Sequence, residues 1–172
     1  MAIQSSDIQF RLSGGASNSN PNASTGGVMS STSWAGGTLH DLFDVISGDE
    51  NAAAESEYRC VYVRNGHASL TWEAVKAWLT AAVAGGADLS IGLDPAGAGN
   101  GSTTGVASSI ANEDTAPAGV TFSAPATKAA GLLLGNINPG QAFPIWFKRT
   151  ATNSAPLDDD GATLNVEGDT AA

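Results

Sequence analysis

The chain has 172 residues, 42% hydrophobic and only 14% charged, with seventeen Asp and Glu against seven Lys and Arg for a formal net charge of −10. That length suits one domain with a proper hydrophobic core. The few, scattered basic residues argue against DNA or RNA as a direct ligand and against anionic membrane surfaces, because both depend on clustered cations.

Charged residues fall well short of the roughly 25% found in ordinary soluble domains. Gly, Ala, Ser, Thr and Asn take their place, which leaves broad neutral areas able to pack against other protein. One cysteine, Cys60, cannot form an internal disulfide. The N-terminal stretch MAIQSSDIQFRLSGG lacks the basic and apolar regions of an export signal, and no apolar run approaches the roughly 20 residues of a membrane helix. Synthesis in the cytosol is the expectation.

In chain order, Ile8–Leu12 alternates and reads as a strand, followed by SGGASNSNPNASTGG, too polar and glycine-rich for a regular element. Thr38–Ser47 has Leu39, Leu42, Phe43 and Ile46 at helical spacing, with Thr38 as N-cap and Gly48 as stop. Tyr58–Arg64 is the strongest strand, filled with aromatic and β-branched residues at period 2. Leu70–Ala84 fits two templates. A strand puts Leu70, Trp72, Ala74 and Trp78 on one face, whereas a helix aligns Trp72, Val75, Leu79 and Ala82. The Asn65-Gly66 turn just before it favours a returning strand through about Leu79.

Asp88–Leu93, Gly119–Ser123, Leu132–Ile137, Phe143–Thr150 and Ala162–Glu167 are further strands, punctuated by Asp94-Pro95, Asn138-Pro139-Gly140 and Asp160-Gly161. Between them, residues 94–115 form a long Gly/Ser/Thr/Asn-rich excursion. Many short strands with regular turn signals predict an all-β, single-domain β-sandwich or barrel, with long loops and at most short helices. Residues 1–37 read as an N-terminal strand and extended arm, and 38–172 as the sandwich body. Loops of this composition stay ordered only where something holds them, and neighbouring subunits are the expected support.

Cys60 and His67 are the obvious nucleophile–base pair to test. A reactive thiol wants an electropositive, partly exposed setting, whereas a cysteine in mid-strand between Tyr58 and Tyr62 reads as core filler. His40 and His67 lack the closely spaced partners of a zinc site and read as solvated loop residues. Asp158, Asp159 and Asp160 before Gly161 resemble part of a calcium loop, and Asp41, Asp44, Asp49 and Glu50 make a second acidic cluster. Neither has the spacing of a dedicated calcium loop, so the DDDG turn is a secondary metal candidate and no cofactor is expected. No phosphate-loop pattern is present.

Most aromatic residues, Trp72, Trp78, Phe122, Phe143, Trp146 and Phe147, sit in strands or beside them and read as core. Trp34, in a polar segment, is either an anchor for a partner's pocket or self-packed. Trp34, Asn20 and Asn22 in the arm, with Asn100 and Asn112 in the 94–115 loop, are the candidate partner contacts.

The stretches LFDVISGDENAAAESEYRCVYVRNGH, NEDTAPAGVTFSAP and GLLLGNINPGQAFPIWFKRT together resemble small structural proteins of tailed-bacteriophage virions. The resemblance runs from Leu42 to Thr150. It implies a non-enzymatic antiparallel β-sandwich, immunoglobulin-like or jelly-roll in type, that decorates and cements the outer capsid surface, with the major capsid protein or further copies of itself as partners, and the virion as its location. A tail, baseplate or fibre module binding a host glycan is the alternative.

Overall fold

The strongest strand anticipated from the sequence becomes the centre of the molecule. The computed structural model describes residues 2–158 and 160–170. Strand β1 is Ile8–Leu12, β2 Gly26–Gly27, β3 Ser56–Asn65, β4 Trp72–Thr80, β5 Asp88–Leu93, β6 Ala107–Ser109, β7 Leu132–Ile137, β8 Ala142–Thr150 and β9 Thr163–Thr170, with one short helix, α1, at Gly48–Ala53. The strands form a four-stranded sheet in the order β1-β3-β8-β5, a three-stranded sheet β7-β4-β9 and a small pair β2-β6, all antiparallel. The fold is an antiparallel β-sandwich.

Val61, Val63, Ile91, Ile145 and Phe147 from the larger sheet meet Trp72, Val75, Ala77, Leu79, Leu134 and Ile137 from the smaller one, and these residues are the main core. Alternation along β3 and β8 directs their other side chains away from it. Tyr58, Cys60, Tyr62 and Trp146 build a second core on the far face, closed by Met29, Ala107, Ile110, Val120 and Phe122. The large sheet is therefore buried on both faces, and most of β3 is inaccessible. A central strand covered on both sides reads as a continuous apolar run rather than a half-polar one.

Pro144 lies in the middle of β8, where proline usually breaks a ladder. Its carbonyl accepts from Asp94 N at 3.2 Å, so the position points toward β5. The missing N–H falls beyond the last β5–β8 pair, Leu93↔Ile145, and β3 loses no bond.

The strand reading of the segment after Asn65-Gly66 holds, but its inward face differs from the expected one. The register of β4 shifts between Trp72 and Val75, where Ala74 takes a left-handed φ of 49° and donates its N–H to Asn136 Oδ1. This bulge adds one residue and reverses the parity of everything after it. Trp72, Val75, Ala77 and Leu79 face the core, whereas Ala74 is exposed and Trp78 only half-buried. One inserted residue in a period-2 strand makes the spacing i, i+3, i+7 that also resembles a helical stripe.

The expected helix at Thr38–Ser47 does not form. Residues 38–47 are irregular, with His40 at φ 57°, and Gly48 begins a helix instead of ending one. Ser47 Oγ accepts from Glu50 N while the Glu50 carboxylate accepts from Ser47 N, a reciprocal capping box. Replacing Ser47 by Ala should cost about 1 kcal/mol. For a chain of this size that corresponds to a melting-temperature fall of roughly 2–4 °C in a thermal scan. Gly119–Ser123 is likewise no strand. It makes a single bridge at Ser123 to Ile91, since its Val120 and Phe122 are used to cover the second core.

Candidate functional site

Three regions hold polar chemistry: the loop layer over the second core, an ion-pair cluster at one end of the sandwich, and an open cleft beside that cluster.

The loop layer is where the sequence placed its contact residues. β1 pairs with β3 only as far as Leu12↔Val61. Beyond that point the loops take over the edge, with Cys60 N donating to Ser24 O at 2.7 Å and Tyr58 N to Glu113 O at 2.8 Å. The Tyr62 hydroxyl donates to Gly27 O and accepts from Ala107 N, so one side chain pins both β2 and β6. Burial raises the Tyr62 phenol well above its ordinary range, so it keeps the proton that this bond requires. At Gly26, φ is 86° and a Cβ would lie 1.8 Å from Ser108 O, so only glycine fits between β2 and β6. Asp94 is the other fastener. Its buried carboxylate accepts from Trp146 Nε1 at 2.8 Å, Ser108 N at 2.9 Å and Ala96 N at 2.9 Å.

The support expected from neighbouring subunits is thus supplied, on the inner side, by the chain's own sheet. The first 37 residues are equally tied to the body, through the β1–β3 ladder and the Ser24 contact. Asn20 is exposed, and its side chain accepts from Asn22 N to cap a short 3-10 turn, Pro21–Ala23. Asn22 reaches the carbonyls of Asp41 and Leu42. Asn100 Oδ1 gathers the N–H groups of Ser102, Thr103 and Thr104, and Asn112 closes its own turn with Thr115. These asparagines organise loops, while Asn100 and Asn112 remain solvent-facing.

Trp34 resolves to self-packing. Its ring meets Phe10 and Phe147 edge-on at centroid distances of 6.2 and 6.0 Å, and its indole N–H donates to Asp41 at 2.6 Å. Cys60 is fully buried, and burial pushes its thiol well above the ordinary range. His67 Nδ1 accepts from Ser69 N and Leu70 N, which fixes a turn rather than serving a nucleophile. The Cys60–His67 pairing is absent from the geometry, as the strand reading anticipated.

The ion-pair cluster was not visible in the sequence as a unit. Arg149 Nε donates to Glu57 at 2.7 Å and its Nη1 to the Asp44 carbonyl at 2.6 Å, while Arg59 pairs with Glu113. Both guanidiniums lie over the Phe43 ring, at 4.8 Å for Arg149 and 5.5 Å for Arg59. Arg59 is fully buried and Glu57 nearly so. Burial raises the Glu57 pKa, and the Arg149 pairing offsets that only in part. Asp44, Glu57 and Glu113 bring carboxylate oxygens within 4.8 Å of one another, close enough for a metal ion. The two interleaved guanidiniums already compensate most of that charge, so the arrangement is a structural ion-pair network. The DDDG turn, the secondary metal candidate, gathers no comparable set among the described residues. Asp158 is exposed, Asp160 accepts from Ala87 N at 2.6 Å, and Asp159 lies outside the described residues.

The cleft, about 1020 Å³, lies between the irregular 34–48 segment, the β4–β5 turn and the loop before β9. Leu42, Phe43, Leu89 and Phe147 contribute to its walls. No protein-family model, no curated protein and no solved structure matches the chain.

Proposed function

We propose that this protein is a non-enzymatic structural component of a tailed-phage virion that decorates the outer capsid and stabilises the shell through its loop layer. The supporting observation is the distribution of charge. Residues 12–40, 95–112 and 115–127 contain no Asp, Glu, Lys or Arg. Much of this sequence makes the layer over the second core, where Asp94 is buried, Glu113 is paired and Asp114 is exposed. A chain of net charge −10 therefore carries most of its charges elsewhere and turns an almost neutral face outward.

Charge depletion characterises the centres of protein–protein interfaces, and like-charged copies approach most easily through neutral surfaces. A small domain that touches several capsid subunits binds multivalently, so weak contacts add to firm retention. The fastening of the loops from beneath keeps their ordering cost out of the binding step. The glycan-binding alternative relied on an exposed Trp34 platform, and Trp34 is occupied in its own core.

The test is addition of the purified protein to undecorated capsids, followed by imaging and heating. Density on the outer shell and a higher disruption temperature are expected. Ala23→Lys and Ala111→Lys, both at exposed layer positions, should bind more weakly without a change in melting temperature. Shells equally heat-resistant with and without the protein would remove the reading.

A further inference from the structure

The cleft between the 34–48 segment and the loop before β9 gathers exposed apolar side chains. Leu39, Val45 and Leu157 line it and are 60%, 61% and 44% exposed, three of the five large apolar side chains left open to solvent among the described residues. Scattered exposed leucines need no explanation, but a group around one concavity marks an interaction site. Behind them the walls continue inward through Leu42, Phe43 and Phe147.

The charged groups of the cleft are mostly of one sign, set among neutral polar side chains and His40. Asp41, Asp44, Asp158 and Asp160 line it, against a single guanidinium, Arg149, among the described residues. Arg149 is already engaged by Glu57, Asp44 and the Phe43 ring. An occupant must therefore offer apolar groups to the walls and positive charge to the rim. An acidic segment or an anionic lipid would meet repulsion on every side but one.

We propose that the cleft receives a short amphipathic peptide segment of a partner protein, with apolar side chains flanked by Lys or Arg. Burial of Leu39, Val45 and Leu157 supplies affinity, and the carboxylates supply steering and selectivity that weaken with added salt. The site needs neither the virion reading nor the neutral layer, so it stands or falls separately.

The experiment titrates the full-length chain with a Leu/Lys amphipathic peptide, its Leu/Glu counterpart and a Ser/Lys peptide of equal charge. Binding is read from fluorescence anisotropy of labelled peptide and from the Trp34 indole N–H resonance, which reports on the cleft wall. Binding of the Leu/Lys peptide alone is expected, with movement of the Trp34 resonance and weakening at high salt. Leu39→Ser with Val45→Ser, exposed positions whose loss leaves the core intact, should weaken it by roughly tenfold or more. Leu133→Ser, an exposed leucine outside the cleft, should leave it unchanged. Equal binding of the Leu/Glu or Ser/Lys peptide, indifference to the double variant, or no binding of any peptide would overturn the proposal. So would self-association of the free chain in sedimentation that the double variant abolishes, since the occupant would then be a second copy.

Discussion

Replacing Asp94 by Ala is expected to release the loop layer before it unfolds the sandwich. The buried carboxylate is the common acceptor for Trp146 Nε1, Ser108 N and Ala96 N; its removal strands the buried indole N–H, whereas the N–H groups of half-buried Ser108 and exposed Ala96 can turn to water. Leaving a buried donor unsatisfied costs about 1–3 kcal/mol. The stranded indole dominates, and the two solvated backbone donors add only the smaller net loss of a bond each, for a total of about 2–3 kcal/mol, or a melting-temperature fall of roughly 4–12 °C at this chain length. The loss should be uneven. Hydrogen exchange should accelerate first in residues 95–112, while the β3–β8 ladder, held by the main core on its other face, stays protected. If the neutral layer is the attachment surface, the same variant should lose capsid binding at temperatures where β3 and β8 remain protected. Uniform acceleration across β3, β8 and the loop would show that Asp94 serves global stability alone.

The uneven legibility of this fold in its sequence follows from what holds each part. β3, β5, β7 and β8 carry β-branched or aromatic residues and end in marked turns such as Asn65-Gly66 and Asn138-Pro139-Gly140. Their local chemistry and their tertiary surroundings agree, so reading them from sequence succeeds. β2 and β6 are Gly-Gly and Ala-Ser-Ser, with no strand preference at all. They exist because Tyr62 and Asp94 fasten them from another part of the chain, and such contacts leave no periodic trace.

The bulge in β4 is hidden for a different reason. Ala74 has no special tendency toward a left-handed φ, and the conformation is imposed by pairing on both sides with β7 and β9. A signal was available for α1, since Ser47 and Glu50 have the spacing of a capping box. The apolar spacing of Leu39, Leu42, Phe43 and Ile46 competes with it, because it places a longer helical stripe just upstream. In the folded chain only Leu42 of these four is buried, with Phe43 partly buried against the same core, while Leu39 projects into solvent. The Arg149 network joins positions 44, 57, 59, 113 and 149, which meet only after the sheets form.

That network gives the second large effect. Arg149→Met keeps most of the side chain's length but removes the hydrogen-bond donors of buried Glu57, leaving only the nearby Arg59 guanidinium to offset its charge. Breaking a buried pair in this way costs about 3–5 kcal/mol. Glu57 already has a raised folded-state pKa, because burial outweighs the Arg149 pairing, and loss of the cation raises it further. A carboxyl group that binds its proton more tightly folded than unfolded makes stability fall as pH rises through the folded pKa. Below the unfolded value the group is protonated in both states and imposes no penalty. The variant's deficit should therefore be greatest at neutral pH and shrink on acidification toward the ordinary glutamate range. Part of it should persist, because the bond to the Asp44 carbonyl and the stacking on Phe43 are lost at every pH. Glu57→Gln alone removes the charge that burial penalises and should cost less at neutral pH. Combined with Arg149→Met, it should recover most of that variant's neutral-pH loss and flatten its pH dependence. Denaturant titrations of the four proteins between pH 4 and pH 8 measure all of this. A deficit in Arg149→Met that stays constant with pH would assign the role of Arg149 to packing and the Asp44 carbonyl, not to the buried carboxylate.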